Sequence, residues 1–139
     1  MATILAAVGL SDDQKVERVS TLLTAMNAGE YDLAAELGHP EIVLVRAGGA
    51  GELRGKEQLR GWMEPDAFES QVTEILEFEV EGDRVMARIH SRARGAASGI
   101  EIEIGAWTVY TFDDDGKATR MQFFLPNEED EARRVLRGD

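Results

Sequence analysis

The run Leu76-Glu77-Phe78-Glu79-Val80-Glu81 alternates apolar and acidic residues without a break, and Gly82-Asp83 then turns the chain. A period of two is that of a strand with one face buried. Downstream, the same pattern predicts three further strands in meander order: Arg84 to Ala96, Ile100 to Phe112 and Lys117 to Leu125. Ala97-Ser98-Gly99 and Asp113-Asp114-Asp115-Gly116 supply the turns between them. A hairpin centred near Ala97-Ser98 sets Arg94 opposite Glu101 and Arg92 opposite Glu103. One face then carries Arg88, His90, Arg92, Arg94, Glu101, Glu103, Trp107, Arg120, Gln122 and Phe124. The other carries Val85, Ala87, Ile89, Ser91, Ile100, Ile102, Ile104, Ala106, Thr108, Met121, Phe123 and Leu125. The second set is the apolar one, so helices are expected to cover it and the first is expected to look outward.

Upstream of the meander the period is that of helices. Ser11-Asp12-Asp13-Gln14 reads as a capping box, behind which Val16, Val19, Leu23 and Met26 fall on one stripe with Leu22 beside them. Asn27-Ala28-Gly29 ends that helix, Gly29 taking the left-handed cap conformation. A shorter helix from Tyr31 to Leu37, with Leu33, Ala34 and Leu37 facing inward, is stopped by Gly38 and Pro40. Ile42-Val43-Leu44-Val45 is a buried strand, Gly48-Gly49-Ala50-Gly51 a loop, and Lys56 to Met63 a third helix closed by Pro65. A last helix starts at an Asn127 cap, with acidic residues 128–131 at its positive end and Arg133, Arg134 and Arg137 toward its negative end.

The 139 residues suit a single α+β domain, residues 1–139, with a core of about 12–137 and a flexible start over 1–10. The formal charge is −12, from 27 acidic and 15 basic side chains, a field that repels nucleic acid and anionic lipid surfaces. Without cysteine there is no disulfide framework and no thiolate chemistry. Met1 to Leu10 lacks the basic start of a signal peptide, and no apolar run reaches membrane-spanning length. A cytoplasmic location is the expectation, with neither nucleic acid nor membrane as partner.

The lone histidines, His39 and His90, fall on different elements, so no metal and no cofactor is expected. The Asp113–Asp115 run is read as turn chemistry and the Arg–Glu pairs as a solvated charge ladder. Trp107 and Phe124, two large aromatics near Gly105 on a polar face, suggest an exposed contact surface, most simply of a homodimer. The Gly48–Gly51 loop is open to two readings, a cavity rim or lid and a plain connector. Trp62 likewise fits either the core or a pocket wall.

The helices ending in Asn27-Ala28-Gly29-Glu30-Tyr31-Asp32, the strand after His39-Pro40-Glu41 and the helix entered at Gly55-Lys56-Glu57 form a pattern. So do Trp107 to Phe112, Asp115-Gly116-Lys117 and Phe123-Phe124 late in the meander. Over about residues 12–137 this pattern resembles the nuclear transport factor 2-like superfamily, and within it the bacterial SnoaL-like branch. The resemblance implies a cone-shaped α+β fold, with N-terminal helices packed on a strongly curled mixed or antiparallel sheet and a short C-terminal helix. It also implies a pocket between helices and sheet, used by isomerases, polyketide cyclases, epoxide hydrolases and dehydratases. By position, the isomerase tyrosine would fall near Leu22, its base near Val45 or Arg46, and its oxyanion-hole acid near Thr108. The epoxide hydrolase aspartate would fall at Phe123 and its Arg/Asp pair around Ile89 to Ala93. None of the three isomerase roles is filled as the chemistry requires, Thr108 alone being able to donate one weak hydrogen bond, and Phe123 cannot activate water, so the catalytic residues stay unknown.

Two readings follow. In one, Leu23, Met26, Val45, Trp62, Ser91, Thr108 and Phe123 line an apolar pocket for a small hydrophobic molecule, with isomerisation, cyclisation or dehydration as the chemistry in view. In the other, the cavity is filled and the chain is a non-catalytic dimeric interaction module working through Trp107 and Phe124.

Overall fold

The structure is a computed structural model and describes residues 10–63 and 68–138. The expected flexible start and the closure of the third helix at Pro65 fall, apart from Leu10, outside the described residues. Helix α1 spans Asp12–Asn27, and its capping box forms: Gln14 N–H donates to Ser11 Oγ and Ser11 N–H donates to Gln14 Oε1. Val19, Leu22, Leu23 and Ala25 are its buried positions, and Gly29 beyond its end has a φ of +77°. Helix α2 is Tyr31–Glu36; it buries Ala34 and Ala35, while Leu33 stands half exposed to solvent rather than facing inward.

Strand β1 runs Gly38–Val45, longer than its β-branched centre predicts. Its first half contains Pro40, and the pairing with its neighbour is interrupted between Gly38 and Val43. Proline has no N–H to give a ladder, so it is accommodated where the ladder is broken. A short strand β2, Glu52–Arg54, pairs back on β1, which the sequence pattern does not announce. The glycine loop is the turn between them: Gly48, Gly49 and Gly51 take positive φ, and Arg46 N–H donates to Gly51 O. That favours the connector reading, since no residue of the loop lines the cavity described below. Helix α3 is Lys56–Met63, as the pattern predicts, and buries Leu59 and Met63.

The meander is β3 (Phe68–Glu81), β4 (Arg84–Gly95), β5 (Glu101–Phe112) and β6 (Ala118–Phe124). With β1 and β2 it makes one six-stranded sheet ordered β2-β1-β6-β5-β4-β3, parallel only between β1 and β6. Register breaks between Ile75 and Glu77 and between Thr111 and Phe112 are the irregularities by which such a sheet bends. Arg94 pairs with Glu101 and Arg92 with Glu103, as the hairpin centre requires, and both pairs form side-chain ion contacts on the exposed face.

Helices α1, α2 and α3 cover the inner face around Val85, Ala87, Tyr110, Met121, Ile42 and Leu44. The outer face is not left bare. Helix α4, Glu129–Arg137, lies against it and buries Ala132 and Leu136 on Met86, Trp107, Val109 and Phe124. Its cap residue is Glu128 rather than Asn127; the Glu128 carboxylate accepts from Leu125 N–H, folding the connection under the helix.

Candidate functional site

On the inner face, a cavity of about 150 Å³ lies between α1, α3 and strands β3–β6. Helix α1 contributes Leu23 and Met26 to its wall, and α3 contributes Trp62. Strand β6 adds Met121 and Phe123, and the Trp62 and Phe123 rings meet at a centroid distance of 5.2 Å and an angle of 55°. From β4 and β5 come Ile89, Ile104, Ala106 and Tyr110. The remaining described wall residues are polar and uncharged: Gln71 and Thr73 of β3 with Ser91 of β4.

That polar side is held by a small network. The Asn27 side-chain amide, at the end of α1, donates to Thr73 O (2.7 Å) and accepts from Thr73 N–H (2.9 Å). Asn27 thereby takes the place of a neighbouring strand, satisfying both backbone groups of one β3 residue. Thr73 Oγ1 in turn lies 2.7 Å from Ser91 Oγ, within the cross-strand pair Thr73–Ser91. Among the described lining residues Tyr110 alone has an ionisable side chain. Burial pushes its phenol up to about 12, against the opposing effect of a hydrogen bond with Thr108, so it is a neutral hydroxyl at ordinary pH.

The structure brings five of the seven expected pocket residues to this wall: Leu23, Met26, Trp62, Ser91 and Phe123. Val45 does not reach it. Its parallel partner is Gln122, and partners in register share a face, so Val45 lies on the side opposite Met121 and Phe123. Thr108 is on the right face but fully buried between Ala106 and Tyr110, its hydroxyl directed to Ala87 O at 3.4 Å. Seven wall residues lie outside that expected set: Ile89, Ile104, Ala106 and Met121, which alternation puts on the covered face, and Gln71, Thr73 and Tyr110, which sequence reasoning missed altogether. For the β3 pair the hydropathy pattern is misleading, because Val72 stands 55% exposed while Thr73 beside it is buried.

The expected contact surface at Trp107 and Phe124 is corrected. Only 7% and 4% exposed, the two aromatics are covered by α4 of their own chain, and Trp107 Nε1–H donates to Pro126 O. A legible sign existed, since Met86, Trp107, Val109 and Phe124 make four large apolar residues on one patch of the outer face. Such a patch calls for a covering element.

A broader hollow of about 340 Å³ lies beside α4 on that outer face. Its charged groups are occupied with neighbours: Arg88 with Glu77 at 3.4 Å and over the Trp107 ring, His90 with Glu74 at 3.4 Å. It is a solvated groove rather than an apolar receptacle. His39 and His90 lie on β1 and β4, and among the described residues no three His, Cys, Asp or Glu side chains cluster as metal ligands. No helix among the described residues is long and apolar enough to cross a membrane.

A family model for the SnoaL-like domain matches residues 19–121. No curated protein matches the chain in sequence. Among solved structures, SalBIII, an epoxide hydrolase/cyclase-like enzyme of pyran ring formation in the polyether salinomycin, superposes with a TM-score of 0.75. The two are 19% identical over 83% of this chain and 93% of that one. A Jannaschia sp. CCS1 protein assigned as a SnoaL-like polyketide cyclase gives 0.73 at 19% identity, covering 94% and 97%. The Mycobacterium tuberculosis protein RV0760c, solved with estradiol-17β-hemisuccinate, gives 0.70 at 12% identity, covering 79% and 92%. At these identities the likeness is one of fold.

Proposed function

The chain belongs to the SnoaL-like domain family, and from that premise we propose that it receives a small hydrophobic metabolite in the inner-face cavity. One observation carries the reading: a cavity of roughly 150 Å³ lies over a wall whose described residues are apolar except for Gln71, Thr73, Ser91 and the Tyr110 hydroxyl. An apolar void of this order encloses about one aromatic ring of a ligand. Structural relatives whose own names record cyclisation, epoxide opening or a bound steroid derivative lend it support.

The wall also bears on chemistry. A general base must accept a proton near neutral pH, and among the described lining residues the only ionisable group is a phenol held neutral. By the resemblance, the isomerase positions fall at Leu22, Val45 or Arg46, and Thr108, of which Thr108 alone offers one weak hydrogen bond, and the hydrolase aspartate falls at Phe123, which cannot activate water. The cavity therefore favours binding, or a cyclisation, isomerisation or dehydration promoted by holding one conformation, over acid–base hydrolysis. The interaction-module alternative loses its footing with the burial of Trp107 and Phe124.

Thermal unfolding against a panel of terpenoids, aromatic polyketides, sterols and fatty acids tests this reading, together with native mass spectrometry of the purified protein. Ala106→Leu fills the cavity from β5 and serves as the control. A shift of several degrees in the native protein that Ala106→Leu abolishes is the expected result. Indifference to the whole panel, with no co-purified molecule, refutes it.

A further inference from the structure

We infer that the Thr73–Ser91 hydroxyl pair is a polar anchor that selects a neutral ligand bearing a hydrogen-bonding oxygen, such as a ketone, an ether or an alcohol. This rests on the cavity being the ligand site. The two hydroxyls carry two protons, and their mutual 2.7 Å bond uses one. Among the described residues neither hydroxyl has another partner, so one O–H is left over on the cavity wall whichever atom donates. Thr73 is 9% exposed and Ser91 only partly buried, so the spare O–H carries its largest desolvation penalty on Thr73, and a ligand oxygen relieves it.

The placement is built rather than incidental. Asn27 fixes the Thr73 backbone through both its N–H and its C=O, so the Thr73 hydroxyl is presented by a clamped residue. The rest of the described wall has no cation to neutralise a carboxylate and no carboxylate to receive an amine. A charged ligand would lose its hydration and gain no partner, whereas a neutral oxygen exchanges water for the spare O–H at little loss. Because neither Thr nor Ser titrates, selection should not vary between pH 6 and 9.

Tetralin, 2-tetralone and tetralin-2-carboxylate share one shape and differ in the group offered to the anchor, which suits calorimetric titration of the full chain. The expected result is that the affinity ratio of 2-tetralone to tetralin falls roughly three- to tenfold in Ser91→Ala/Thr73→Val, the value of one neutral hydrogen bond. Tetralin affinity stays as it was, and the carboxylate binds weakest. The infrared carbonyl stretch of 2-tetralone bound to the native protein needs no variant and should lie below its value in hexane. An unchanged ratio with an unshifted stretch overturns the anchor while leaving the cavity as a hydrophobic site. Tightest binding by the carboxylate overturns the neutral class, and binding of none of the three overturns anchor and cavity together.

Discussion

Phe123 and Phe124 are neighbours in β6 and point to opposite faces of the sheet, each beside a tryptophan. Phe124 with Trp107 is sealed by α4, whose Ala132, Val135 and Leu136 follow at helical spacing and leave the two rings almost no exposure. Phe123 with Trp62 is only half buried and borders a void. The residue types are the same, so composition does not separate a filled core from a receptacle. The covering helices do: the nine-residue amphipathic α4 closes over the outer patch, while the described spans of α1 and α3 leave part of the inner face uncovered. Ile100, Ile102 and Ile104, more than 40% exposed on that inner face, mark where the cover runs out.

The sharpest way to break this contrast is to truncate each ring. Phe124→Ala should destabilise by about 3–5 kcal/mol in urea unfolding, since it empties a closed cluster. Phe123→Ala should lose only about 1–2 kcal/mol, because its ring is partly exposed and already borders a void. Equal losses would mean that the inner face is as tightly packed as the outer one.

Alkaline pH probes the floor of the cavity, where Tyr110 is fully buried. Below its ordinary value of 10.0 the phenol is protonated in both folded and unfolded chains. Between that value and the folded value of about 12 the unfolded chain releases the proton and the folded chain keeps it. Stability therefore falls as pH rises through this window, by about 2–3 kcal/mol, and Tyr110→Phe should remove that part of the loss. A slope that Tyr110→Phe leaves intact would place the responsible group elsewhere.

The smallest effect belongs to the outer face beyond α4. Arg92 and Glu103 are 3.3 Å apart with both side chains more than 60% exposed. Arg92→Ala should change stability by less than about 1 kcal/mol, and less still in high salt. A larger loss would show that this part of the outer face is covered in solution, contrary to its exposure.

Legibility followed the same divide. Where one face of a strand is buried and the other wet, as over Glu77–Glu81, alternation predicts the strand and the side each residue takes. By contrast, Leu76, at the register break after Ile75, stands 51% exposed, and Met86 is buried under α4 on the outer face. Where a strand lines a void with polar groups, as at Gln71 and Thr73 with Val72 turned out to solvent, the pattern inverts and nothing in it signals a strand. Val45 was misassigned for a related reason. In a uniformly apolar run the face depends on the partner's register, here Gln122, and not on the run itself.

By itself the sequence determined the α+β class, the α1 capping box, the meander and the hairpin register, because capping, turn geometry and two-residue periodicity are local and act within a few positions. Only the tertiary structure decided that Trp107 and Phe124 are core, that Asn27 reaches across 46 positions to clamp Thr73, and that a gap remains beside Ser91. Those outcomes depend on where each helix ends relative to the sheet, a distance set by the packing of elements far apart in the chain.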